Sequence, residues 1–496
     1  MSQVPALSQV SSAPADLKGP PLRRAMSYVT IAWLFGAFWM HAQAGAPLTM
    51  FAKTLGLSNF EFGLLAAMPF MAALLSLPAS VLIDRTGHRK GIFMVALYLN
   101  RLLWIPIALV PMWIVLYGGE NHAPWAIFAF LAFFFLMHAG QCVGGPAWIS
   151  WMADVIPDRV RGRYFARRRQ LGIFTGIPAA LLAGWALDRY CGHGQSERTI
   201  LITCSVIFIV AAAVGLVDVF LFHFVPHRPV MKAKQPVIQM LLHPLKNRRF
   251  VWFSACTAIL WFAVAGQGQF VSKFLIDHLK ISSTQVQMIV LVVPLLTQLV
   301  VLPIWGRAID RYGKKPAMMT GMLGIVPVGA GWCLMNSGHV WPGYLLASCG
   351  AAFWTGVEVA NFNMVLELSG TDADGNHGGT AYVAINLVIV NIAGMAGGIF
   401  YGSIAEALTD FQWVSGIAWL APMSFYEVLF AVSAVLRLAA FLPLLRVHEP
   451  EARPTFDLMR FMAGNLYNNV AGAVLLPVRL IRRDTGEDEA ESSKHE

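Results

Sequence analysis

The chain has 496 residues, is 57% hydrophobic and only 13% charged, and carries a formal net charge of +9. Soluble proteins run near roughly 25% charged residues, so a water-soluble globular domain is excluded. The charge is missing from long apolar runs, each long enough to cross a hydrocarbon core of about 30 Å, which makes this an all-α membrane protein.

Residues 1–25 are polar and contain prolines but no apolar h-region, so a disordered tail is expected rather than a cleaved signal peptide. Six spans follow at 26–50, 61–83, 91–117, 124–152, 170–190 and 200–225, forming an N-terminal bundle over 26–225. A long basic loop separates the fourth from the fifth. A basic linker covers 226–250, with a surface helix expected over 237–245. Six more spans are expected at 251–275, 284–305, 316–336, 342–368, 380–404 and 425–446, within a second bundle over 251–447. In the tail over 448–496, Phe456, Met459, Phe461, Met462 and Leu466 recur at helical spacing, which reads as an interfacial amphipathic helix over 455–483. The last residues, 486–496, are acidic and expected to be disordered.

Orientation follows from Lys and Arg. With the N-terminus inside, 29 of the 36 fall in inside segments and 5 in outside loops, while Arg101 and Arg437 lie within spans. Both termini are therefore expected in the cytoplasm of a cell membrane, and the net charge is topology rather than a nucleic-acid surface. Five of the six cysteines sit in apolar spans without CxxC spacing and read as packing residues. No cofactor or metal site is expected.

One stretch occurs twice. Asp84-Arg85-Thr86-Gly87-His88-Arg89-Lys90 returns as Asp310-Arg311-Tyr312-Gly313-Lys314-Lys315, 226 residues later, each copy joining two apolar runs. Leu55-Gly56-Leu57-Ser58 returns as Leu279-Lys280-Ile281-Ser282, Pro69 as Pro294, Pro78 as Pro303 and Gln43 as Gln267, at offsets of 224 or 225. Six spans are thus repeated in one orientation, the parallel arrangement with a site between the halves near mid-membrane.

The doubled loop resembles the signature G-x-L-A-D-R-x-G-R-K of the major facilitator superfamily. The second copy keeps its first glycine, Gly306, whereas the first has Ser80 there. The resemblance covers about 26–446 and implies twelve transmembrane helices in two pseudo-symmetric six-helix bundles, with spans 1, 4, 7 and 10 lining a central cavity. It also implies a gating role for the loop. Asp84 and Asp310 at helix ends can face the N-termini of spans 11 and 5, where the helix dipole favours an anion. Arg85, Arg89, Lys90, Arg311 and Lys314 can pair with acids at neighbouring helix ends. Asp154, just before a run that includes Arg163, is one such acid. The bland alternative is that these charges only anchor topology.

Ionisable and amide groups at bilayer depth are costly unless paired or wet. Glu358, mid-span 10, shares a face with Ala347, Ala351, Trp354 and Asn361, and is the strongest candidate for a proton or substrate site. A paired structural acid is the alternative. Span 4 offers His138, Gln141 and Trp148 on one face, span 1 offers His41 and Gln43 beside Trp39, and span 7 offers Gln267 and Gln269 beside Trp261. Amides with aromatics favour a hydroxyl-rich, sugar-like solute; they would also suit amphipathic drugs, which leaves a drug or metabolite efflux carrier as an alternative. Arg101 and Arg437 are read as structurally paired or snorkelling. Pro146 is expected to kink span 4, and Gly394, Gly398 and Gly402 to allow close helix approach.

The reading is a carrier for a small organic solute in the bilayer, expected as a monomer, with protons an optional coupling ion and sodium a lesser one. A lipid-acting enzyme is disfavoured by the absence of HExxH and of any large extramembrane domain. A non-transporting sensor of the same fold remains the alternative.

Overall fold

The computed structural model describes residues 19–118, 123–192, 195–227, 243–336, 338–370, 379–413, 423–449 and 453–462, without the side chains of Asp84, Asp158, Ser369 and Thr380. The surface helix expected over 237–245 falls largely outside the described residues. Of the tail helix, 455–462 is described and is helical.

Besides the short tail helix and a 3-10 turn at His243–Lys246, twelve helical segments run through the described residues. They are α1 (20–54, broken at Ala44-Gly45), α2 (59–86, broken at Leu74-Leu75), α3 (89–117), α4 (Ala123–Val155), α5 (Asp158–Tyr190) and α6 (197–224). After the linker come α7 (248–278), α8 (283–312), α9 (314–334), α10 (Trp341–Gly370), α11 (Gly379–Ala407) and α12 (425–445). Ten are long and apolar enough to cross a membrane; the two that are not among them are α1 and α10. Both carry polar groups well inside the helix, His41 and Gln43 in one and Glu358 and Asn361 in the other.

The expected long basic loop after the fourth span is helix instead. Pro157 supplies an extended N-cap (φ −57°, ψ 140°), and α5 runs unbroken from Asp158 through Arg159, Arg161, Arg163, Arg167, Arg168 and Arg169. Arginine is a good helix former, so the charge reads as a loop while the backbone does not. Pro146 lies inside the continuous helix α4.

The turns that repeat in sequence repeat in backbone. Gly56 and Lys280 both take positive φ, 85° and 53°, and Lys280 is the one non-glycine residue to do so among the described residues. Ser58 and Ser282 then each form a capping box, with Glu61 and Gln285, opening α2 and α8. Gly87 and Gly313 end α2 and α8 with φ of 67° and 100°, and their N–H groups donate to the Ile83 and Ile309 carbonyls.

The loop lysines tie each half end to end. The Lys90 ammonium donates to the carbonyls of His223 (2.7 Å) and Val225 (2.8 Å) at the end of α6. Lys315 donates to those of Leu445 (3.1 Å) and Val447 (2.6 Å) at the end of α12. Cations at helix C-termini are favoured by the dipole. Arg89, buried, pairs with Asp154 at the end of α4, and Lys314 pairs with Glu367 near the end of α10 (2.5 Å).

The buried apolar side chains sort by depth. On the side away from the doubled loop, one cluster holds residues of both halves, among them Phe51, Phe62 and Phe130 with Phe270, Phe274 and Phe430. On the basic side there are two clusters, one per half. Phe93, Trp151 and Phe222 belong to one; Phe250, Trp305 and Tyr382 belong to the other.

Candidate functional site

Contacts between the halves gather on the side opposite the basic loops. There Asn59–Ala73 of α2 packs on α11, while its basic-side continuation Ser76–Thr86 packs on α3 and α4 of its own half. The crossing is backbone on backbone. A Cβ on Gly63 would stand 2.3 Å from Gly402 Cα, and one on Gly398 would stand 2.8 Å from Ala67 N. Lys53 pairs with Asp277, and Lys273, buried, donates to Asn59. Asp188 accepts from the N–H groups of Ser283 (2.6 Å) and Thr284 (2.9 Å) at the start of α8. Gln287 fills the break in α1, accepting from Ala46 N–H (3.2 Å) and donating to the Ala44 carbonyl (3.1 Å).

Two cavities of about 390 Å³ each are formed among the described residues. The first lies within the second half and is walled by Gln267, Gln298, Trp332, Ala351, Trp354 and Arg437 among others. The second lies between α1, α5 and α8 and is walled by Trp33, His41, Phe165, Arg168, Arg169 and Leu295 among others. One turn of α8 serves both, with Leu295 in the second and Pro294 and Gln298 in the first. Arg169 donates to Gln298 Oε1 at 3.0 Å, joining them. Gln298 is residue 16 of the 30 in α8, so this contact is near mid-depth.

Trp354 donates its indole N–H to Glu358 Oε1 at 2.9 Å, one turn on along α10. Its ring stands edge-on to Trp261 (5.3 Å), which stands edge-on to Phe70 of α2 (5.9 Å), making an aromatic row from one half to the other. Glu358 itself is exposed, and the Asn361 carbonyl oxygen is buried without a hydrogen-bond partner.

The other expected cavity residues are more scattered. Gln267 is buried and accepts from Arg437, which also donates to the Ile325 carbonyl at 2.7 Å. His41 is buried against the Ala37 carbonyl (2.7 Å), and Gln43 is buried with its Oε1 unpartnered. Gln269 is half-buried and Gln141 exposed. His138 packs edge-on to Phe134 at 4.6 Å, and Trp148 lies under the Arg168 guanidinium at 4.9 Å. Neither His138 nor Trp148 lines either cavity.

Of the loop residues, Asp310, Arg311, Arg85 and Arg163 are exposed. Arg311 lies over the Tyr312 and Phe461 rings, at 5.6 Å from each. A Cβ on Gly306 would meet open space, so no packing demand acts on that glycine here. The Asp84 side chain is outside the described part. Arg101 forms a buried ion pair with Asp218 at 2.9 Å and lies 3.5 Å from the Trp39 ring centroid. Arg437 is structurally paired through a carbonyl and an amide, and among the described residues no carboxylate pairs with it.

Sequence reasoning passed over Arg168, Arg169, Gln298, Gln287 and Glu367. A signal for the first two was present: Phe165, Arg168, Arg169, Gly172 and Gly176 share one helical face. Gly172 lets Trp33 in (its Cβ would fall 2.1 Å from the indole nitrogen), and Arg168 stacks on that ring at 4.4 Å.

Comparison with known proteins agrees with this geometry. The model of the Major Facilitator Superfamily matches residues 28–398 and 274–485. The chain belongs to that superfamily and is an integral membrane protein with many spans. No match was found among curated proteins. A D-xylose-proton symporter shares the fold with a TM-score of 0.61 at 14% identity, covering 88% of this chain and 98% of that one. A bacterial homologue of the iron transporter ferroportin scores 0.60 in its inward-facing state, at 12% identity over 86% of this chain and 99% of that one. Its outward-facing state scores 0.55. The nucleoside transporter NupG scores 0.57 at 13% identity, over 86% of this chain and 100% of that one.

Proposed function

We propose that the protein is a secondary active carrier that moves a small organic solute across a cell membrane by alternating access, as a monomer with both termini cytoplasmic. In this reading 26–225 and 251–447 are two six-helix bundles joined by the linker 226–250, and the conformation is inward-facing.

The division of the core carries the reading: one apolar cluster shared by both halves on one side, two separate clusters on the basic side. A structure closed at one face and parted at the other is what a rocking pair of bundles presents at the end of its stroke. The higher similarity to the inward-facing than to the outward-facing ferroportin homologue supports the same orientation. The matched contacts of Lys90 and Lys315, each within its own half, support the equivalence of the two halves.

Asp84 and Asp310 are assigned to the cytoplasmic gate in the opposite, outward-facing state, with Arg85, Arg163, Gly306 and Arg311. Arg89–Asp154 and Lys314–Glu367 brace each half in this one. Glu358, accessible and held by Trp354, is the proposed proton carrier. Xylose and nucleosides, named for two structures of the same fold, are hydroxyl-bearing solutes of the kind that the row of tryptophans and Gln267 can accept.

The test is reconstitution. Single cysteines placed at the basic ends of α2 and α11 would report distance by paired labels in nanodiscs. Solute-driven closing of the basic side, with uptake in proteoliposomes, is expected. A basic side that never closes under any solute panel or pH gradient would favour the sensor alternative.

A further inference from the structure

Charge on the cavity walls is unbalanced. Arg437, 6% exposed, lines the first cavity with a carbonyl and an amide as partners and its Nε buried without a hydrogen bond. Arg168 and Arg169 line the second. Arg168 is held flat between Trp33 (4.4 Å) and Trp148 (4.9 Å), and its Nε donates to the Val29 carbonyl at 3.3 Å. Indole faces and a carbonyl orient a guanidinium without neutralising it.

Among the described residues, the carboxylates that interact with these guanidiniums are Asp218, with Arg168, and Glu358, with Arg169. Asp218 is already committed to Arg101 in a buried pair. Three wall guanidiniums less one carboxylate leave an excess of two positive charges, and of three whenever Glu358 carries a proton. His41 in the second cavity can only add to it. Buried unpaired charge costs several kcal/mol, and a fork of N–H donors fits a carboxylate or phosphate.

Resting on the carrier reading, we propose that the transported solute is a small organic anion whose carboxylate or phosphate is held by Arg168 and Arg169 at mid-depth. Its uncharged body enters the first cavity against Trp354 and Trp332, past the Arg169–Gln298 hydrogen bond. Arg437, which also lines that cavity, adds long-range attraction. Entry from the basic side is favoured because the walls present cations to an approaching anion.

The experiment compares matched pairs on the full-length protein in nanodiscs, by thermal shift and by tryptophan fluorescence. The pairs are benzoate and benzamide, gluconate and glucose, and glucose 6-phosphate and glucose. At least one anion is expected to bind about ten-fold or more tighter than its neutral partner, with affinity falling as salt rises. Arg169→Gln should abolish that preference and Arg169→Lys should retain part of it. Arg169 is exposed, so neither change threatens folding. Arg168→Gln serves as the second variant. Neutral partners binding as tightly as the anions, no anion binding, or Arg169→Gln leaving the preference intact would each overturn the proposal. The paired-label distances described above decide separately whether the protein still alternates, so an uncharged cargo and a failed carrier reading give different results.

Discussion

At the residue scale, three positions carry predictions of different kinds. Lys280 holds a left-handed backbone that costs a side-chain-bearing residue roughly 1–2 kcal/mol, while its counterpart Gly56 does not pay that strain. Lys280→Gly is expected to raise the unfolding midpoint in detergent, and Gly56→Ala to lower it through a stability loss of about 1 kcal/mol; the reverse order would show that the turn is not strained. Asp218→Asn leaves Arg101 buried without its counter-charge and is expected to cost roughly 3–5 kcal/mol, with poor expression as the readout. His227 lies beside Trp151 (5.9 Å between ring centroids), outside the spans. Burial, followed by nearby Arg89, Lys90 and His88, holds its pKa below the ordinary value, against a smaller opposing pull from Asp154. The folded state therefore binds this proton less readily than the unfolded chain does. Its stability contribution is intact above about pH 6.5 and is lost as pH falls below that value. His227→Asn should flatten the fall in melting temperature between pH 7 and pH 5; an unchanged slope would mean other groups govern it.

At the element scale, α2, α5 and α11 do most to shape the seam. Gly63, Gly398 and Gly402 bring α2 and α11 into backbone contact, and the glycine stripe at 394, 398 and 402 was legible from its spacing of four. Gly63→Leu should hold the opposite side open, exposing a cysteine near Asn59 to impermeant maleimide; unchanged labelling would remove the crossing from the mechanism. On the proposed gating role, Asp84→Asn and Asp310→Asn should slow uptake without loss of insertion; unchanged uptake in both would remove them from the gate. The repeat made the doubled loop and its glycines readable from the sequence; Asp154 was readable as a candidate partner for the loop's basic residues, but that Arg89 takes it was not. The start of α5 was not readable in the same way: six arginines in twelve residues look like a solvated loop, and hydropathy hides the face that Trp33 and Gly172 reveal. Glu367 escaped because its role depends on where α10 ends, which apolar runs locate poorly.

At the scale of the whole molecule, the proposed alternation would make the polar contacts on the closed side a determinant of the balance between states. Gln287 satisfies the broken backbone of α1 from across the seam, and Lys53–Asp277 adds an ion pair beside it. Gln287→Leu orphans the Ala46 N–H, at about 1–3 kcal/mol, and should shift the paired-label distances toward an open outer face; no shift would place the balance elsewhere. The class of architecture followed from composition and the repeat alone. Which face was open did not, because both states bury the same sequence pattern. The lysine contacts of α3 with the end of α6, and of α9 with the end of α12, have one more consequence. Each fastens an early loop to the last helix of its half, so each half is a closed hoop rather than a string of six staves. In the proposed rocking motion such hoops would roll against one another without loosening. Substitutions along the line where they touch should retune how long the protein dwells in each state, whereas substitutions at the two fastenings should shorten the life of the fold itself.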